Sequence, residues 1–359
     1  MPQIRRNNTT IYIMKKTLLL VVLSTLTLGL FAWDSPVSIP DVGTARIRIV
    51  GQNAENYLSN IEASNSSCSS QAQFEAKTYK MANVFIALQA DIVAICEVER
   101  NDQILGYIVE AMNDLAGGNV YTYITDGLYA HASAGNYQSL KSGYIYRSDK
   151  VTPQGSNTSP YTSGAEYKAR MRIQAFRELA TDEIFVLSMN HFKAKDSSAD
   201  AGEGTRMENV NTLIAKLRNI TTDPDVLVMG DLNAYMDEAP IEALEEEGFE
   251  EQLVRFDANA YSYIYRGQRG ILDHCMANST MAEQVTGARV YHINTAGGYN
   301  YKYSDHDAVL VGLNLGKQQR GENLDDVSTT SRAHKVLHNG QLYIEIDGIR
   351  FTITGTKIQ

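Results

Sequence analysis

The chain has 359 residues, 43% of them hydrophobic, with 32 lysines and arginines against 42 aspartates and glutamates, a formal net charge of −10. That length and apolar content are ample for one large core or two smaller ones, while the acidic balance is a poor match for a protein that grips nucleic acid tightly through its phosphates and leaves open a nuclease that binds weakly or relies on a divalent metal. Three cysteines, Cys68, Cys96 and Cys275, are too few for a disulfide framework and lack zinc-ligand spacing, although one pair could bridge in an oxidising compartment.

At the start, Lys15-Lys16 precede the apolar run 18–30, which ends in Phe31-Ala32-Trp33-Asp34. A basic start, a short apolar stretch and a small residue before a polar one describe a secretory signal peptide, assigned here to residues 1–32. Met14 is its expected start, because residues 1–13 fit no targeting pattern. The run is too short to favour a membrane span, and no cysteine follows it as a lipoprotein anchor requires. The expectation is an exported protein, periplasmic, outer-surface or extracellular, with no stable membrane anchor. Cleavage near Ala32 removes four basic and no acidic residues, taking the charge to about −14.

Residues 44–50 alternate apolar and polar side chains as a half-buried strand does, ending at Gly51-Gln52-Asn53. A Ser/Asn-rich loop, 59–70, leads into 74–89, where Met81, Val84, Phe85 and Leu88 fall at helical spacing. A buried strand over 91–96 is followed directly by Glu97. Residues 104–115 spell an amphipathic helix closed by Gly117-Gly118. Segments 121–124, 144–146 and 185–189 read as strands, the last running into Asn190-His191-Phe192-Lys193. A helix over 208–218 and a turn at Asp223-Pro224-Asp225 introduce the most informative stretch, Val226-Leu227-Val228-Met229-Gly230-Asp231-Leu232-Asn233-Ala234-Tyr235. Four apolar residues form a short buried strand and Gly230 lets the backbone turn. Asp231 and Asn233, two apart, can then point the same way at the strand's carboxyl end. The pair suits phosphate chemistry, a carboxylate to orient or deprotonate a water and an amide to hold an oxygen. Alone, it reads equally well as an Asx turn.

A helix over 240–247 begins with Pro240 at a favourable position and ends at Gly248. Strands are expected over 271–276, 288–293 and 309–313, and the Gly/Tyr/Asn loop 297–303 delivers Ser304-Asp305-His306-Asp307 to the last of them. Residues 316–333 are polar and charged and read as a linker. Residues 334–359 form a small β extension, with strands at 342–346 and 349–353 about an Asp347-Gly348 turn, and carry no evident catalytic group.

Five strand ends thus present polar residues: Asn53, Glu97, His191, Asp231 with Asn233, and Asp305 with His306, while Asp273 sits within a sixth strand. Singly, each has an ordinary structural role, as a surface acid, a cap or a satisfied histidine. Gathered at one end of an α/β core, they can bind a hard divalent cation, neutralise a phosphate and move protons.

The pieces Gly230-Asp231-Leu232-Asn233-Ala234-Tyr235, Asn190-His191-Phe192-Lys193, Gly270-Ile271-Leu272-Asp273-His274 and Ser304-Asp305-His306-Asp307, with Ala90-Asp91-Ile92-Val93 and Glu97, occur in one family's order. On them the chain resembles the DNase I-like endonuclease/exonuclease/phosphatase superfamily over residues 44–315, and most closely its secreted bacterial extracellular nucleases. The resemblance implies an α/β (α+β) fold, a four-layer αββα sandwich of two packed mixed β-sheets flanked by helices. It implies that Glu97 is the principal magnesium ligand, with Asn53 beside it on the metal or the phosphate and Asp305 contributing; manganese or calcium are alternatives. Asp231 would orient or activate the water, and Asn233 would hold a non-bridging oxygen. His306 would contact the phosphate or act as general base, Asp273 would orient it, and His191 would serve the transition state or leaving group. Tyr144 and either Arg170 or Arg172, of which Arg172 is taken, match substrate-side positions, and Lys193 or Lys195 could meet a phosphate, Lys193 being taken, although both read equally well as a solvated face. Pancreatic-type DNases carry a glutamate, paired with the acid histidine, where this chain has Ser139, Leu140 and Lys141, so His191 is expected to work unassisted.

The function these readings support is a secreted, magnesium-dependent phosphodiesterase, foremost a nuclease acting on extracellular DNA or RNA. A phosphatase or phosphodiesterase on small or lipid-linked phosphate esters is the alternative that the acidic balance favours. A secreted binding protein with a vestigial site is the alternative outside enzymes. Oligomeric state is not legible.

Overall fold

The computed structural model describes residues 35–127, 140–162, 165–220 and 223–316, together with four strands between residues 334 and 358. The expected signal peptide, residues 317–333 of the linker and the Asp347-Gly348 turn lie outside the described residues. The chain divides into two units, 1–316 and 317–359.

Strands and helices are numbered in chain order. One six-stranded sheet of the larger unit runs β13 (Val285–Tyr291), β14 (Ala308–Leu313), β1 (Ile47–Tyr57), β2 (Ile92–Glu99), β4 (Leu140–Arg147) and β3 (Tyr121–Tyr123). The other, also of six strands, runs β5 (Val151–Thr158), β6 (Arg172–Glu178), β7 (Ile184–His191), β8 (Val226–Asp231), β12 (Asp273–Asn278) and β9 (Phe249–Glu251). A hairpin of β10 (Tyr263–Tyr265) and β11 (Gln268–Gly270) stands apart.

Alternation along the strands builds the layers. Ile47 and Ile49 of β1, Ile92, Ala94 and Cys96 of β2, and Leu227 and Met229 of β8 share one cluster between the two sheets. Val50, Val93 and Ile95 point the other way, onto α1 (Gln71–Ala87) and α2 (Ile104–Ala116). Val186 and Val228 likewise meet α4 (Glu203–Leu217) and α5 (Ala239–Glu246), while α3 (Ala165–Arg170), α6 (Gln252–Phe256) and α7 (Ser279–Ala282) are short connectors. The result is the helix–sheet–sheet–helix sandwich. Because both faces of the central strands are covered, they read as unbroken apolar runs. Each fully buried Leu or Met there contributes roughly 1.5–3 kcal/mol. None of the described helices is long and apolar enough to cross a membrane.

In the second unit β15 (His334–His338), β16 (Gln341–Ile346), β17 (Ile349–Thr352) and β18 (Lys357–Ile358) form an antiparallel sheet.

Two glycines allow close approaches beside the polar strand ends. Gly230 has φ +124°, and a Cβ there would stand 2.0 Å from the Asn190 carbonyl oxygen on the paired strand. A Cβ on Gly51 would stand 2.9 Å from Met229 Cε of the opposite sheet, so this pair sets the gap between the sheets two residues before Asn53 and Asp231. Gly230→Ala combines a left-handed backbone with a backbone clash, and is expected to lower unfolding free energy by on the order of 2–4 kcal/mol in urea denaturation. An unchanged midpoint would contradict this geometry.

Candidate active site

Register brings the polar strand ends together. In the parallel pair β7–β8, His191 faces Asp231, and in the antiparallel pair β8–β12, Asp231 faces Asp273. Three functional side chains therefore stand in a row across one sheet. On the other sheet β1 and β2 run parallel with Asn53 opposite Cys96, which places Glu97 one residue beyond. Both strands are irregular there, the register shifting between Asn53 and Tyr57 and, against β4, between Ile95 and Val98. Such bulges re-aim side chains at the ends of sheets. Glu55, Asn56, Glu97 and Asn233, four of the eight non-glycine residues described with positive φ, cluster at this place. Each such conformation costs on the order of 1–3 kcal/mol and persists only because surrounding bonds hold it.

Those bonds are present. The Asn53 Nδ2 donates to Glu97 Oε1 and to Asp231 Oδ2, both at 3.0 Å, while Asn53 Oδ1 accepts from the Glu55 N–H at 2.9 Å. The second Glu97 oxygen accepts from the Asn56 N–H at 2.9 Å. Asn233 donates its N–H to Asp231 Oδ1 at 2.9 Å and its side-chain amide to the Phe192 carbonyl at 3.2 Å. The His306 loop is tied to β1 through Ser304 Oγ, which donates to the Asn53 carbonyl at 2.7 Å.

Charges are arranged with equal care. Burial pushes the Asp231 carboxyl up to about 7, with the His306 ring opposing that rise and the Asp273 and Glu97 carboxylates adding to it. Burial alone would lower His306, but the Asp273 carboxylate, 2.7 Å from Nδ1, together with Asp231 and Asp305, holds the ring well above its ordinary value. His306 is therefore an imidazolium at neutral pH, and Tyr263 stacks on it with centroids 4.5 Å apart. His191 is shifted the other way, well below its ordinary value, by burial and then by the cations Arg170 and His306. It is a neutral imidazole whose Nε2 lies 3.4 Å from Glu97 Oε1 and 3.9 Å from Asp231 Oδ2. Its buried Nδ1 has no hydrogen-bond partner among the described residues.

Ligand atoms of Glu97, His191 and Asp231 all lie within 4.8 Å of one another. Two carboxylates and a neutral imidazole converging so closely fit a divalent cation. Of the three residues expected as metal ligands, Glu97 belongs to this trio. Asn53 instead turns its amide nitrogen to the two acids, and Asp305 lies outside the trio, acting electrostatically on His306 and Glu55.

The trio opens into a cleft of ≈ 560 Å³, lined also by Asn233, His306, Lys195, Tyr235, Tyr263 and Tyr265. Asp273 lies behind His306 and reaches the cleft through it. Two substrate-side expectations are corrected. Tyr144 is fully buried between the sheets, where its hydroxyl lies 2.6 Å from the Arg172 carbonyl and accepts from the Met189 N–H at 3.0 Å. Arg172 is also buried, bonded to Asn157 and 3.9 Å from Asp126, and Arg170 is the arginine whose charge acts on His191. Lys193 pairs with Asp196 at 2.9 Å, and Lys195 lines the cleft. Where a glutamate partner for His191 was missed in the sequence, Lys141 is buried between Asp102 and Asp126, at 3.2 and 3.3 Å. The hairpin tyrosines were not anticipated; the alternation in Tyr261-Ser262-Tyr263-Ile264-Tyr265 was their available signal.

One buried histidine holds the cleft from outside. His274 Nδ1 lies 2.8 Å from Glu251 Oε2 and Nε2 lies 2.8 Å from the Ala234 carbonyl, directly after Asn233. Both ring nitrogens face acceptors, which only the imidazolium satisfies.

The model of the Endonuclease/Exonuclease/phosphatase family matches residues 63–306. The structure resembles an endonuclease/exonuclease/phosphatase from Bacteroides vulgatus (16% identity, TM-score 0.55, covering 75% of this chain and 99% of that one). It also resembles a mannosyl-6-phosphatase from Bacteroides thetaiotaomicron (15%, 0.53, covering 75% and 100%) and an AP endonuclease from Archaeoglobus fulgidus (11%, 0.52, covering 75% and 100%). At these identities the likeness shows the fold. No curated protein matches the sequence. The family match spans most of the chain: the protein belongs to the endonuclease/exonuclease/phosphatase family and is a metal-dependent phosphoric ester hydrolase.

The Glu251–His274 pair sets a pH dependence of stability. Burial opposes the charge on His274, but the Glu251 carboxylate and the Ala234 carbonyl raise its pKa above 6.5. A raised histidine contributes its full stabilisation below the unfolded pKa and loses it as pH rises through the folded one. The melting temperature should therefore fall as pH rises above about 6.5, and His274→Gln should flatten that slope. Tyr144→Phe is expected to cost about 1–3 kcal/mol in denaturant unfolding and leave KM unchanged, since it strips a partner from buried backbone groups without touching the cleft.

Proposed function

We infer that the protein is a magnesium-dependent phosphodiesterase, foremost a nuclease acting outside the cytoplasm. The observation that carries the reading is the convergence of Glu97, His191, Asp231, Asn233 and His306 on one open, tyrosine-lined cleft. Its ≈ 560 Å³ leaves room for both arms of a diester. Glu97 and Asp231 offer the oxygen atoms magnesium takes, and the His191 nitrogen also accommodates manganese. A cation held there would supply positive charge to neutralise the phosphate. The His306 imidazolium, held by Asp273, donates to a non-bridging oxygen. Asp231 orients the attacking water and accepts its proton, with Asn233 fixed beside it by the bond to its backbone. His191 stands over the pair of acids, with Arg170 adding positive charge where the leaving oxygen forms. Tyr263 and Tyr265 offer ring faces to a sugar or base. Export rests on the signal-peptide pattern at residues 1–32.

The alternative, hydrolysis of a small or lipid-linked phosphate ester, is favoured by one observation, the net charge of −10. Purified mature chain with magnesium should nick plasmid DNA or degrade RNA, and should hydrolyse bis-p-nitrophenyl phosphate more slowly. Glu97→Ala should reduce both by on the order of 10³-fold, and EDTA should abolish both. Turnover confined to small esters would replace the nuclease reading with the alternative.

A further inference from the structure

A second pocket, of ≈ 370 Å³, is lined by Lys77, Lys80 and Lys302 with Tyr299, Tyr303 and Glu55. Three ammonium groups against one carboxylate is an unusual wall in an acidic chain. Lys77 is 7% exposed, and its Nζ donates to the Glu55 carbonyl at 3.0 Å and to Ser67 Oγ at 2.7 Å, with the Glu55 carboxylate at 3.8 Å. Glu55 thus offsets that buried charge. Lys80 donates to two carbonyls, of Lys302 at 3.1 Å and of Tyr299 at 3.4 Å, neutral partners that fix its position but leave its charge. Lys302 is exposed at the rim. A concave surface with excess positive charge concentrates anions.

The pocket is bonded to the active-site cleft on two sides. Glu55 donates its N–H to Asn53 Oδ1, and the next N–H, of Asn56, holds Glu97. Tyr303 donates its hydroxyl to Gln52 Oε1 at 2.7 Å, and the chain then runs straight through Ser304 and Asp305 to His306. Four peptide steps put the Lys302 Cα within about 15 Å of the His306 Cα. Tyr299 is 89% exposed, with Lys80 Nζ 5.9 Å from its ring centroid, so an open aromatic face stands beside the cations. Lysines for phosphates and an exposed ring for a base are the two components of sequence-tolerant single-strand binding.

We propose that this lysine pocket is an anion subsite that holds a phosphate of the substrate beyond the scissile one, so that the preferred substrate is an extended nucleic-acid strand. The proposal rests on the nuclease reading of the cleft and adds where the strand continues. A lone phosphate ester would be cleaved without entering the pocket.

The test compares wild type with Lys302→Glu, Lys302→Arg and Lys80→Met. Lys302→Glu, at an exposed position, should raise KM for a single-stranded oligonucleotide roughly tenfold at low salt. The plot of log KM against log salt should become about one unit shallower, a change that a merely structural role would not produce. Lys302→Arg should restore both, Lys80→Met should repeat the loss, and kcat on bis-p-nitrophenyl phosphate should stay unchanged throughout. Anisotropy of a labelled phosphorothioate oligonucleotide, read without turnover, should show the same loss of affinity. Equal binding and equal salt slopes in wild type and Lys302→Glu would overturn the subsite, whether or not the nuclease reading holds. Failure of wild type to cleave any nucleic acid would overturn that reading instead, and the anisotropy measurement would still decide the pocket.

Discussion

The structure depends on keeping the Asp231 carboxylate buried beside other acids. An isolated buried carboxylate costs several kcal/mol and would take up a proton, as its shift to about 7 shows. What offsets that cost comes from three places: the Asn53 amide from the other sheet, the Asn233 N–H from its own turn and the His306 imidazolium from the loop before β14. His191 and Asp273 flank Asp231 because β7, β8 and β12 pair in one register. A slip of one residue in that register would turn Asp231 to the opposite face.

The same balance separates the two histidines chemically. His306 has a carboxylate at 2.7 Å and stays charged, whereas His191 feels the cations Arg170 and His306, has no partner for Nδ1 among the described residues, and stays neutral. One ring is therefore fitted to donate to an oxyanion and the other to offer a lone pair. Sequence alone treats them as equivalent strand-end histidines, and packing distinguishes them.

Much of the architecture was legible because its central strands are short apolar runs bounded by turn residues, and their polar ends follow at once. Glu97, His191, Asp231, Asn233 and His306 were identified in this way, and the structure brings them into one cleft. What escaped has physical reasons. β5 is a polar edge strand whose exposed face erases the alternation, and β10 and β11 are only three residues each. Tyr144 was misassigned because a strand buried on both faces does not reveal which residues reach the sheet's end. Arg170 and Arg172 are two residues apart, but the first ends α3 and the second begins β6, so that Arg172 meets Asp126 while the charge of Arg170 acts on His191. The lysine pocket is assembled from α1 and a loop more than two hundred residues away, so no local pattern could announce it.

The trio of Glu97, His191 and Asp231 draws its members from both sheets, and those sheets meet where Met229 lies against Gly51. A divalent ion held there would act as a rivet across the sandwich, bound only when the two halves stand at the correct separation. Its binding free energy would then also be folding free energy, and the ion would raise the temperature at which the sandwich opens. The reverse also holds. Any change deep in the apolar layer that widens the gap by a fraction of an ångström would be felt as weakened ion affinity, far from the residue altered. In this protein, the fit of the hydrocarbon core is a determinant of its inorganic chemistry.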